Sequence, residues 1–64
     1  MDFERDVRKL QRMLRQDGFW LVKGGGSQSH EKWTDGNRSV TLPRTKEIRK
    51  EKTAKSIYIQ AGWL

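Results

Sequence analysis

The chain has 64 residues, with 14 Lys and Arg against 8 Asp and Glu for a formal net charge of +6, and no cysteine. This length excludes a second hydrophobic core, the missing cysteine excludes disulfides, and no apolar run approaches the roughly 20 residues of a membrane span. We therefore expect one small domain over residues 1–64, and the lack of cysteine and of a signal-peptide pattern leads us to expect a reducing cytoplasm.

An excess of positive charge on so short a chain attracts polyphosphate surfaces, of which nucleic acid is the usual one. The plain alternative is a solubilising surface. A membrane surface is a poor fit, because the cations do not line a long helix with a wide apolar face.

The first element is a helix. Phe3, Val7, Leu10 and Leu14 recur at spacings of four, three and four, with Arg5, Arg8, Lys9, Arg12 and Arg15 on the remaining surface. Asp2 is its expected cap and Asp17-Gly18 its stop, giving a helix over residues 2–17. Phe19-Trp20-Leu21-Val22 is aromatic and β-branched and reads as a short strand. Gly24-Gly25-Gly26 interrupts any regular structure and reads as a flexible connection. Residues 30–34 and 38–42 form two further short strands around Asp35-Gly36-Asn37, a hairpin signal, and Pro43 lacks the amide to continue the pairing. A basic loop, residues 44–49, leads to a second helix from about Lys50 to Ala61. Its apolar face is Ala54, Ile57, Tyr58 and Ala61, and Gly62 stops it. Trp63 and Leu64 should then fold back onto the body. The order α-β-β-β-α makes an α+β protein, with a three-stranded antiparallel sheet covered on one face by both helices.

His30 is the only histidine, and imidazole is the only side chain here that titrates near neutral pH when unperturbed. Counting by twos along the strand, Glu31 and Trp33 share one face, and His30, Lys32 and Thr34 share the other. Tryptophan is the better core residue, so His30 and Lys32 face outward at the mouth of the glycine turn. One histidine and eight scattered carboxylates offer no paired cluster for magnesium or zinc, so no metal is expected. Ser29 is no evidence of a serine–histidine pair, because neighbours on a strand point to opposite faces. The glycine run lacks the Lys-Ser/Thr ending of a nucleotide-binding loop, so no small-molecule cofactor is expected either. Lys50, Lys52 and Lys55 stand at the start of the last helix, whose amino end adds partial positive charge. They look like the lysine cluster that begins the final helix of double-stranded RNA-binding domains.

Three stretches together resemble the HicA toxins of HicA–HicB toxin–antitoxin systems. They are Leu14-Arg15-Gln16-Asp17-Gly18-Phe19; Ser29-His30-Glu31-Lys32-Trp33 followed by Asp35-Gly36 and Val40-Thr41-Leu42-Pro43-Arg44; and Thr53-Ala54-Lys55-Ser56-Ile57-Tyr58-Ile59-Gln60-Ala61-Gly62. Ser29-His30 matches the family's usual Gly-Ser-His, with Gln28 in place of the glycine. The resemblance implies a double-stranded-RNA-binding-domain-like fold. It also implies an endoribonuclease that cleaves mRNA without a metal, a catalytic role for His30, and neutralisation by a HicB-type antitoxin.

RNA is cut when its own 2′-hydroxyl attacks the adjacent phosphate. That reaction needs a base, an acid for the departing 5′-oxygen, and positive charge on the phosphate. His30 is the expected base or acid. Ser29, Lys32, Arg44, Lys50, Lys52 and Lys55 are the expected RNA contacts. Water, Lys32 and Tyr58 are the candidates for the second proton transfer. The competing reading is a non-catalytic RNA-binding module of the same fold.

Overall fold

The computed structural model describes residues 2–64, and its elements follow the expected order. Helix α1 is Val7–Gln16, strands β1, β2 and β3 are Trp20–Leu21, His30–Thr34 and Ser39–Pro43, and helix α2 is Glu51–Gln60. The strands form one antiparallel sheet in the order β1-β2-β3. Val7, Leu10 and Leu14 from α1 and Ala54 and Ile57 from α2 share a core with Trp33, Val40 and Leu42 of the sheet. Both helices thus cover the Trp33 face, giving the α+β architecture of a double-stranded RNA-binding domain.

The first helix starts later than its apolar spacing suggests. Asp6, not Asp2, is the cap: its Oδ1 accepts the Lys9 N–H at 3.1 Å, satisfying one of the orphan donors of the first turn. Residues 5–7 are instead tied to the segment after β3. Val7 N–H donates to the Lys46 carbonyl at 3.0 Å, Ile48 N–H donates to the Arg5 carbonyl at 2.8 Å, and Asp6 bridges Glu47. This pairing buries Ile48, a core residue inside a stretch that composition marks only as a basic loop.

Both helices end in the same way. After α1, Phe19 N–H reaches the Leu14 carbonyl at 2.9 Å and Gly18 N–H reaches Arg15 at 3.1 Å, with Gly18 at φ +90°. After α2, Trp63 N–H reaches Tyr58 at 2.9 Å and Gly62 N–H reaches Ile59 at 3.1 Å, with Gly62 at φ +79°. These are Schellman closures, and each brings the residue after the glycine back onto the helix. Phe19 is therefore buried as part of the α1 closure, and β1 contains only the two residues after it. Trp63 packs edge-on against Tyr58 and donates its Nε1–H to Asp17 Oδ2 at 2.9 Å. It folds back as expected, whereas Leu64 stays half exposed.

The β2–β3 hairpin is held by side chains as well as by its turn. Asp35 Oδ1 accepts the N–H groups of Asn37 and Arg38 at 2.8 and 2.6 Å, and Thr34 Oγ1 donates to the Arg38 carbonyl at 2.6 Å. Gly36 alone takes a positive φ, +94°, the pattern of a type II′ connection. The two backbone N–H groups hold the exposed Asp35 carboxyl below its ordinary value of 3.8, because they bond the charged form.

Candidate active site

Strand alternation divides β2 between two surfaces. Trp33 is buried beneath the helices, with the Arg15 guanidinium 5.0 Å from its ring centroid. His30, Lys32 and Thr34 pair with Pro43, Thr41 and Ser39 of β3 and share the outward face. His30 and Lys32 are exposed, and with Ser39, Thr41 and the turn residues Gly25 and Gly26 they line a groove of about 400 Å³. The histidine thus stands beside a lysine on an open, wet surface.

The glycine turn is more closely fitted than a flexible connection. Gly24 takes φ +74°, which side chains with a Cβ rarely adopt. A Cβ on Gly25 would meet Val22 Cγ1 at 2.6 Å and the Lys32 stem at 3.3 Å, and one on Gly26 would collide with the His30 carbonyl oxygen. That oxygen accepts the Ser27 N–H at 2.9 Å. The turn therefore fixes the backbone of His30, a constraint that composition alone does not reveal.

Arg44 closes the same end of the sheet. Its N–H donates to the Ser29 carbonyl at 3.0 Å, extending the ladder one step beyond the His30–Pro43 pair. Its Nε–H donates to the Ser27 carbonyl at 3.0 Å, and its guanidinium lies 3.5 Å from Glu31 Oε2. Glu31, missed as a site residue, is the hub of this arrangement. Its Oε1 accepts from Gln11 Nε2 at 2.9 Å and from the Trp33 indole at 3.3 Å, leaving the other oxygen toward Arg44. The available signal was its place on the Trp33 face of the strand.

Ser29, His30, Lys32 and Arg44 therefore gather at one end of the β2–β3 pair, but the groove of His30 and Lys32 includes neither Ser29 nor Arg44, and Arg44 lines a separate groove with Gln11 and Glu31. Lys50 lines a further groove, which includes Pro43, the cross-strand partner of His30, but none of these four residues. Lys52 and Lys55 belong to a different groove, formed with Phe3, Glu51 and Leu64. Tyr58 is farther removed in function: its ring stands between Phe3 and Trp63 on the helix side, and its hydroxyl accepts the Glu4 N–H at 3.0 Å. Among the described residues, no three His, Cys, Asp or Glu side chains gather as a metal site. No described helix is long and apolar enough to cross a membrane.

This fold and this groove define a small basic α+β protein of the double-stranded-RNA-binding-domain type, with an exposed histidine beside a lysine. A family model described as the HicA toxin of bacterial toxin–antitoxin systems matches residues 7–63. The chain belongs to this family, which makes it the toxin of a pair whose other member is a cognate antitoxin. No curated protein and no solved structure compared with the chain gives a match.

Proposed function

We propose that the chain is a metal-independent endoribonuclease that cleaves mRNA in the cytoplasm, blocks translation, and is neutralised by a HicB-type antitoxin. His30 transfers a proton in the reaction. As base it takes the proton of the 2′-hydroxyl while the 2′-oxygen bonds to phosphorus. The bond from phosphorus to the 5′-oxygen breaks, leaving a 2′,3′-cyclic phosphate and, after protonation, a 5′-hydroxyl. The partner acid is water or Lys32, since Tyr58 faces Phe3, Trp63 and Glu4 instead. Ser29, Lys32 and Arg44 contact the phosphate being cut, while Lys50, Lys52 and Lys55 hold RNA further along the strand.

The observation that carries this reading is the exposed His30 beside Lys32, in a groove built on a turn that fits its backbone. The test is His30→Ala, with folding checked by circular dichroism. Expression of the wild type arrests growth, the substituted protein does not, and its cleavage rate falls by about 10²- to 10⁴-fold. Cleavage by the wild type proceeds equally with and without a chelator. A variant that binds RNA and cuts it as fast as wild type removes His30 from the mechanism. A wild type that binds RNA without cutting it leaves a non-catalytic binding module.

A further inference from the structure

At the opposite end of the outward sheet face stands Trp20. It pairs with Thr34, which pairs in turn with Ser39, so the three share one outward row. Its ring edge lies against the hairpin turn, where a Cβ on Gly36 would be 3.6 Å from Cη2, and 53% of the residue remains exposed. His30 stands on the same face four residues back along β2, about 13 Å away along the strand. Lys32 lies between them, and Ser39 belongs both to the Trp20 row and to the His30 groove. None of the outward residues in the paired strands is acidic.

The indole is more than half exposed and contributes nothing to the buried core. Continuity with the His30 groove, which Lys32 and Glu31 both line, and the net charge of +6 on the chain select the occupant. Bases of a duplex hide their faces in the stack, whereas those of an unpaired strand offer theirs to aromatic side chains. We propose that Trp20 stacks a base of unpaired RNA whose neighbouring phosphates run across Lys32 toward His30. This deepens the nuclease reading and rests on it: the sheet face receives single-stranded RNA, and Trp20 sets the register of the cut.

The probes are an unstructured 2′-O-methyl oligoribonucleotide, which lacks the attacking hydroxyl, and the same strand annealed to its complement. Trp20→Leu retains apolar packing against Gly36 but has no π-face, and Trp20→Phe retains one. Trp20→Leu should weaken single-strand binding by about 10- to 100-fold, the size of one base stack. Its duplex binding should match wild type, and Trp20→Phe should keep most of the affinity. Cleavage positions on a long unpaired RNA should become less uniform in Trp20→Leu. Unchanged single-strand binding, or equal loss for strand and duplex, overturns the inference. So does a Trp20→Leu protein that loses its antitoxin but binds RNA normally, since the face would then be a protein contact. These failures leave wild-type cleavage intact, whereas a wild type that neither binds nor cuts RNA defeats the nuclease reading as well.

Discussion

The Gly26 backbone is seated directly against the carbonyl of His30, leaving no room for even a methyl group between them. The same carbonyl is bonded by Ser27 N–H, so the turn and the first residue of β2 form one fitted unit. Gly26→Ala must push the two backbones apart. We expect cleavage to fall by at least about tenfold, because a misplacement near 1 Å is costly to positioned chemistry. Buried core packing is untouched, so the thermal midpoint should move only a few degrees. Single-turnover rates and a melting curve on the same preparation check both halves.

Glu31 separates charge from hydrogen bonding. Glu31→Gln keeps an oxygen for Gln11 and the Trp33 indole and loses only a partly exposed ion pair with Arg44. Such pairs contribute about 0–1 kcal/mol, so stability should hardly change. Glu31→Ala also leaves the largely buried indole N–H without this acceptor, which should cost about 1–3 kcal/mol. Urea unfolding of the two variants measures the difference. Equal losses would show that the charge, rather than the acceptor, matters.

Arg44 and Lys52 lie in separate grooves, and their substitutions should differ in kind. Arg44→Ala should lower cleavage at saturating RNA and also flatten the salt dependence of binding. Lys52→Ala should flatten the salt dependence by about 0.7–0.9 in the log–log slope, the loss of one phosphate contact. Its single-turnover rate at saturation should remain that of wild type. An unchanged slope would remove Lys52 from the RNA footprint.

The hairpin carries a pH signature. Asp35 is held below its ordinary value of 3.8 by the N–H groups of Arg38 and Asn37. A carboxyl lowered in the folded state adds stability that is fully present above the unfolded value. That stability is lost as pH falls through the lower folded value. The advantage of wild type over Asp35→Ala should therefore be constant above about pH 5 and shrink at pH values below 4. Denaturant midpoints at a series of pH values test this, and an advantage that grows on acidification would reverse the assignment.

The fold was largely legible because its signals are local. Helical spacing marked Val7, Leu10 and Leu14, alternation marked Trp33 against His30 and Lys32, and Gly18 and Gly62 marked the helix ends. The start of α1 was not, since Asp2 and Asp6 are equally good caps by type. The choice between them depends on residues 5–7 pairing with residues 46–48, a contact distant in sequence. Ile48 escaped notice for the same reason. In the candidate site, the outward pair His30 and Lys32 followed from period two, but the fit of Gly26 and the linking role of Glu31 depend on distances between strands. Lys50, Lys52 and Lys55 form one run in sequence, yet Lys50 is the extended cap residue before α2 and lines a different groove from Lys52 and Lys55.

The alternation of β2 also bears on how such a protein can diversify. Trp33 and Glu31 are committed to the core side, whereas positions 30, 32 and 34 carry little of the packing. Position 32 can therefore change identity without a matching change among the helices, whereas position 30 is held by the chemistry proposed for His30 and position 34 by the bonds of Thr34 to the turn.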